Sequence, residues 1–250
     1  VWIHNGYGGK LGWRSSGTMR IAPQEPFWKT DRFDITAYGA IPDDERDDTV
    51  AVGKALAAAE VNGGGIVFVP RGRFNLTDGL SVPKHVLLQG AGQELSLLEW
   101  QDMSQAPDAL IAGLDNFSVQ DLSLYAINHR IAISSADAQH GGGEGNIWIR
   151  HVRIRLNRTL NVPADVAAKR RALPTSPIME VGGANLQITD CDMYGDGSGL
   201  YLSPGPNSVV ARNQVLTPAG GWSYGGGRPN LIYEDNYFLG ATVNQGGVHE

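Results

Sequence analysis

The chain has 250 residues, 42% of them hydrophobic, with 20 Lys and Arg against 26 Asp and Glu and a formal charge of -6. The apolar share supports a substantial core, and the acidic balance gives no electrostatic draw to nucleic acid or to an anionic membrane. Apolar runs such as GGGIVFVP fall far short of the roughly 20 residues that span a bilayer, and the single cysteine, Cys191, excludes an internal disulfide framework. The 33 glycines, without a collagen period, indicate many tight turns between short strands.

Residues 1–22, VWIHNGYGGKLGWRSSGTMRIA, read as two strands with a glycine-rich connection, and residues 23–32, opening PQEP, read as a linker. A lone hairpin is marginal in water, so this one is expected either to dock on the downstream chain or to end a preceding module. The chain begins at Val1 inside a strand-like run and stops at Glu250 directly after a strand-like unit, so further polypeptide is expected on both sides.

From Phe33 to Leu76 runs FDITAYGAIPDDERDDTVAVGKALAAAEVNGGGIVFVPRGRFNL. Asp47 or Asp48 is placed to cap a helix that starts near Thr49, has an alanine-rich body to about Glu60, and stops at NGGG. An apolar strand, Ile66 to Val69, comes next. A short amphipathic helix there would cover the first hydrophobic layer of a solenoid.

Downstream, five segments superpose: NFSVQDLSLYA from Asn116, NIWIRHVRIRL from Asn146, NLQITDCDMYG from Asn185, NSVVARNQVLT from Asn207 and NLIYEDNYFLG from Asn230. Three residues on stand Val119, Ile149, Ile188, Val210 and Tyr233; eight on stand Leu124, Ile154, Met193, Val215 and Phe238. Within each unit, apolar and polar residues alternate and then shift parity near the fifth position, as where one strand turns a corner into another. Spacings of 22 and 23 residues match one turn of a parallel β-helix, and the longer spacings of 30 and 39 predict loops. Asn213 and Asn236, both six residues into their units, are predicted to stack as an interior ladder, which favours a helix over a β-sandwich.

The block from Asp34, with Tyr38 to Ala40, the DDT of Asp47 to Thr49, Gly63 to Gly65, Pro70, Gly72 and Phe74, resembles the entry of the pectate lyase-like right-handed parallel β-helices. In particular it is similar to the group related to glycoside hydrolase family 28, which includes phage tailspikes. The likeness continues through VLLQGAG and covers about residues 33–250, departing at IPDDERDD, where relatives usually carry glycine. Residues 1–22 look like the closing hairpin of an immunoglobulin-like module of the IPT/TIG type. The implied fold is all-β, a right-handed solenoid with a short amino-terminal capping helix.

Positions seven and nine of the units are expected to point outward, giving columns of Ser123, Arg153, Asp192, Gln214, Tyr237 and of Tyr125, Arg155, Tyr194, Leu216, Leu239. Aromatic faces stack on sugar rings and arginines fork onto carboxylates, so Arg153, Arg155, Tyr194, Tyr201, Trp222 and Tyr237 are the candidate polysaccharide-binding residues. The bland alternative is a solvated sheet face. The 157–177 loop, with Lys169, Arg170 and Arg171, is expected to overhang the substrate, and PIMEV places Glu180 outward near Tyr201.

In family 28 hydrolases a GDD at the corresponding corner carries catalytic acids, and GDGSGLYL is similar, with Asp196 at the first acid and Gly197 in place of the second. The family's NTD, GHG and RIK marks are absent from the sequence. Glycoside hydrolysis needs two carboxylates roughly 5 to 9.5 Å apart. Glu180 and Asp196 are therefore the candidate acid and base, with Asp192 as a substitute partner and no cofactor.

Two rivals stand beside the hydrolase. A polysaccharide lyase would use Arg153 or Arg155 on a uronate, with calcium held on carboxylates; a noncatalytic tailspike or adhesin would use the outward columns alone. His129 and His151 read as turn or surface residues, and His4, His140 and His249 have no identifiable partner. The class implied is a secreted, periplasmic or cell-surface protein.

Overall fold

A computed structural model describes residues 26–103, 105–135, 145–159, 162–171, 177–195, 199–226 and 230–246, together with two short strands, β1 (Trp2–His4) and β2 (Trp13–Ser15). β1 and β2 pair antiparallel, Trp2 opposite Ser15. The rest is one continuous coil of parallel strands. It enters through β3 (Arg32–Asp34) and α1 (Thr49–Val61).

Successive turns are β4 (Gly65–Val69), β5 (Gly72–Leu76) and β6 (Leu80–Ser81), then β7 (Val86–Gly90), β8 (Ser96–Trp100) and β9 (Ala109–Gly113). β10 (Phe117–Ile127) and β11 (Ile131–Ser135) form the next turn; β12 (Ile147–Asn157), α2 (Ala164–Arg171) and β13 (Met179–Gly183) follow. Then come β14 (Gln187–Thr189), β15 (Asp192–Gly195) and β16 (Gly199–Pro204), β17 (Val209–Ala211) and β18 (Gln214–Gly226), and finally β19 (Ile232–Glu234) and β20 (Tyr237–Gly246). Each strand pairs in parallel with its counterpart one turn on, which makes three faces. Face A holds β4, β7, the first half of β10 and of β12, β14, β17 and β19. Face B holds β5, β8, the second halves of β10 and β12, β15, and the starts of β18 and β20. Face C holds β6, β9, β11, β13, β16 and the later part of β18.

The corners explain the polar positions of the units. Asn116, Asn146, Asn185, Asn207 and Asn230, which open the units, have φ between 52° and 61°, and so do the corner residues five places on, Asp121, Asp190, Arg212 and Asp235, with His151 at 50°. Left-handed backbone costs most residues roughly 1–2 kcal/mol, and asparagine tolerates it because its short amide bonds locally. Here the amides also bond between turns: Asn146 Nδ2 donates to Asn116 Oδ1 (2.8 Å), Asn185 Nδ2 to Asn146 Oδ1 (2.6 Å) and Asn230 Nδ2 to Asn207 Oδ1 (2.8 Å). At the second corner, Arg212 forks onto Asp190 at 2.7 and 2.8 Å and holds its carboxyl below the usual range. Inside, Asn213 Nδ2 donates to Asn236 Oδ1 (2.8 Å) and Asn213 Oδ1 accepts from Cys191 N (3.0 Å).

Inward side chains stack in columns about 4.8 Å apart. Val67, Leu88, Val119, Ile149, Ile188 and Val210 are wholly buried on face A; Phe74, Leu98, Leu124 and Ile154 are so on face B. Each such side chain contributes roughly 1.5–3 kcal/mol when taken fully from water. α1 closes this core at the entry, burying Ala51, Val52, Ala55, Leu56 and Ala59. The two aspartates at its start divide the work: Asp47 Oδ1 accepts from Thr49 N (3.0 Å) and Asp47 Oδ2 from Thr77 Oγ1 (2.9 Å), whereas Asp48 Oδ1 accepts from Ile41 N (2.9 Å). The helix stops where Gly63 and Gly64 take φ of 76° and 116°; a Cβ on Gly64 would meet His85 Cβ at 2.8 Å.

The second half of the segment expected as a linker is packed against face A. Phe27, Trp28 and Trp148 meet edge to face, with ring centroids 4.9, 5.0 and 5.2 Å apart. His85 Nδ1 lies 3.0 Å from Phe27 O. Phe27 and Trp28 are half-buried by this packing.

Candidate functional site

Face C carries the first candidate cluster. Ala112, Ser134, Glu180 and Tyr201 stand in register on β9, β11, β13 and β16. Met179, Val181, Leu200 and Leu202 are buried on either side of the two polar residues, so alternation turns Glu180 and Tyr201 outward. Tyr201 is 44% exposed and Glu180 half-buried. A carboxylate and a phenol thus project side by side from neighbouring turns. Trp222 lies on β18 opposite Gly199, with its side chain outside the described residues. Asp196, the other expected catalytic acid, also lies outside the described residues.

Asp192 is placed elsewhere, on face B, in register with Arg153 and Gln214. It shares no column with Glu180. Arg155 bonds the Asp192 carboxylate through Nη2 and its carbonyl through Nη1 (2.9 Å), and Arg153 Nε lies 3.5 Å from Asp192 Oδ2. Arg153 also forks onto Glu94, with Nη1 to Oε2 at 2.6 Å, and this bond holds the Glu94 carboxyl below the usual range. The two arginines expected to bind substrate carboxylates are therefore taken up by the protein's own acids. A ligand carboxylate would have to displace Glu94 or Asp192 first. Tyr194 is half-buried beside Arg155 in register, and Tyr237 is 62% exposed at the far end of the face.

The corner after face B corrects two further expectations. Arg170 of α2 turns inward, with Nη1 donating to Arg158 O (3.1 Å) and Nη2 to Asp102 Oδ1 (2.5 Å), while Arg158 Nη2 donates to Arg170 O (2.8 Å). Arg170 is 9% exposed, so it anchors the loop to the coil instead of overhanging a substrate; Lys169 is exposed and pairs with Asp165 at 3.8 Å. His129 is not at the surface but 1% exposed, its two ring nitrogens without hydrogen-bond partners. Burial, with the Arg158 charge adding to it, pushes its pKa down to about 3. His151 lies at the corner expected for it, 3.4 Å from Asp121.

The sequence reading missed Glu94, Arg73 and Glu99. Arg73 lies 3.5 Å from Glu45 and 3.6 Å from Glu99 on the same face. The available signal was VLLQGAG followed by QELSLLEW, whose SLLEW aligns with GRFNL one turn earlier once the register is known. Among the described residues, no three His, Cys, Asp or Glu side chains group as a metal site.

A continuous three-faced parallel coil, capped at its entry by a helix and cornered by left-handed asparagines, defines the pectate lyase-like β-helix class. The family model for rhamnogalacturonase A/epimerase, pectate lyase-like, matches residues 33–243, and the chain belongs to this family. The chain is 29% identical over 105 residues to the mannuronan C5-epimerase AlgE3 of Azotobacter vinelandii, covering 37% of this chain and 6% of that protein. It is 25% identical over 137 residues to the pre-neck appendage protein of Bacillus phage B103, covering 52% of this chain and 15% of that one. The chain thus spans a small fraction of these relatives' length. Among solved structures, the A-module of the A. vinelandii epimerase AlgE6 superposes with a TM-score of 0.53 at 18% identity, over 84% of this chain and 57% of that one, which shows the shared fold.

Proposed function

We propose that this β-helix acts on a uronate-containing polysaccharide laid along face C, with Glu180 and Tyr201 as the reacting groups. The observation that carries the reading is their register: on β13 and β16 a carboxylate and a phenol project outward from adjacent turns, about 4.8 Å apart along the axis. Removal of the proton α to a uronate carboxylate, the first step of both C5 epimerisation and β-elimination, needs a base with a proton donor beside it. Glu180 is suited to take that proton and Tyr201 to return one, either to carbon or to the leaving oxygen. The names of the relatives, mannuronan C5-epimerases among them, support a uronate chain as substrate.

The second reading is a glycoside hydrolase. It is favoured by the sequence GDGSGLYL, which sets the acid Asp196 among glycines five residues before Tyr201. The two-carboxylate mechanism would pair it with Glu180. A noncatalytic coil is the third outcome.

The test incubates the full-length protein with a panel of uronate and neutral polysaccharides. Uronate composition is followed by proton NMR, unsaturated ends at 235 nm, and reducing ends by colour. Epimerised or unsaturated product, lost in Glu180→Gln, is expected. Reducing ends without unsaturation would establish the hydrolase, and no product on any polymer would leave a binding coil.

A further inference from the structure

A second site lies on face B, away from the Glu180 column. The segment after β7, from Ala91 to Leu95, rises over the face and leaves a cleft of about 250 Å³ between itself and the strands. Arg73, Gln93, Glu94, Ser123, Tyr125 and Arg153 line it, and Leu97, in register between Arg73 and Ser123, is its apolar floor. The overhanging wall is held in place by the coil. Ser96 Oγ accepts from Ala91 N (2.8 Å) and donates to Val69 O (2.8 Å); Ser123 Oγ donates to Gln93 O (2.7 Å); and Glu94 is forked by Arg153 from two turns away. A cleft fixed before any ligand arrives loses little conformational freedom on binding.

One donor lining this cleft has no hydrogen-bond partner. Gln93 Nε2 makes no hydrogen bond, whereas Arg153 Nε is held in an ion pair with Asp192 Oδ2 at 3.5 Å. Buried donors are almost always paired, and an unpaired one costs roughly 1–3 kcal/mol. A turn of the Gln93 side chain that presents this amide to a ligand oxygen in the cleft would satisfy it. Tyr125, 38% exposed, offers a ring at the margin, and Glu94 offers acceptor lone pairs beyond those bonded to Arg153.

Charge and volume then narrow the ligand. Arg73 and Arg153 are matched by Glu99 and Glu94, so the cleft has no spare cation for a carboxylate or sulfate. At about 250 Å³ it lies below the roughly 300–1,000 Å³ range of drug-sized ligand pockets. An aromatic ring for a C–H face, donors and acceptors for hydroxyls, and no net charge together suit one uncharged pyranose. We propose that this cleft is a carbohydrate-binding subsite for a single neutral sugar unit, separate from face C and independent of whether the reaction proposed there is correct.

Saturation-transfer NMR on the full-length protein, with glucose, galactose, mannose, rhamnose and glucuronate as separate probes, tests this. At least one neutral sugar is expected to receive saturation, and glucuronate to receive none. Tyr125→Ala and Gln93→Leu should each weaken the neutral sugar by about tenfold, while Tyr125→Phe and Glu180→Gln retain it. Both truncations are at or near the surface; whichever keeps the wild-type melting temperature serves as the reporter. Absence of transfer to every neutral sugar, preference for glucuronate, binding unchanged in a folded truncation, or binding lost in Glu180→Gln would overturn the assignment.

Discussion

Asn213 and His129 show how differently two buried polar residues can be accommodated. The Asn213 amide is saturated: besides Asn236 and Cys191 it donates to Ile188 O at 2.9 Å. Asn213→Ala would strand the Cys191 N–H and weaken the hold on the turn beyond, and a loss of roughly 2–4 kcal/mol in urea denaturation is expected. His129 is the opposite case, neutral and without hydrogen bonds in the folded chain. Its folded pKa of about 3 lies below the ordinary value near 6.5. Between those two values the unfolded chain binds a proton that the folded chain refuses. Stability should therefore be undiminished above pH 6.5 and fall as pH drops below it, by up to about 1.4 kcal/mol per unit. His129→Leu should flatten that part of the acid limb when denaturation midpoints are compared from pH 7 to 4.

At the scale of the element, Arg170 ties α2 to the coil. One guanidinium reaches Asp102, which comes after β8, and Arg158, which comes after β12, so it links two turns and the inserted helix. Arg170→Ala should release α2 while leaving the coil folded. Amide exchange would then rise by at least about tenfold over residues 164–171 with little change in the main melting transition. Arg170→Lys should rescue only part of this, because an ammonium cannot present the planar fork that serves both acceptors. α1 differs in being held by burial along its length; Asp47 and Asp48 add the link from its first turn to β5 and to the preceding loop.

For the whole molecule, the three-faced section decides which groups can cooperate. Glu180 and Tyr201 share face C, while Asp192 is a corner away and bonded to two arginines. If face C carries proton transfer, Glu180→Gln should lower kcat on a uronate polymer by at least about 100-fold and Tyr201→Phe by about tenfold or more. Asp192→Asn should act mainly on stability. If Asp196→Asn instead abolishes the release of reducing ends while Tyr201→Phe is silent, the hydrolase reading takes its place. The aromatic packing of Phe27 and Trp28 on Trp148 holds the segment just before β3 against face A.

The sequence by itself determined the class of fold, the capping helix and the register of the turns, because each of these arises from local causes. Asparagine at a left-handed corner, alternation along a short strand, and glycines that end a helix are all visible within a dozen residues. It also placed Glu180 beside Tyr201, since register carries directly from turn to turn. Only the tertiary structure decided what the charged side chains do. Glu94 meets Arg153 from 59 positions away, and Arg170 meets Asp102 from 68. Such pairings depend on where a loop folds back over a face, and residue type alone cannot distinguish an arginine waiting for a ligand from one already holding a carboxylate. The depressed pKa of His129 was hidden for the same reason: the Arg158 charge that adds to its burial comes from the next turn.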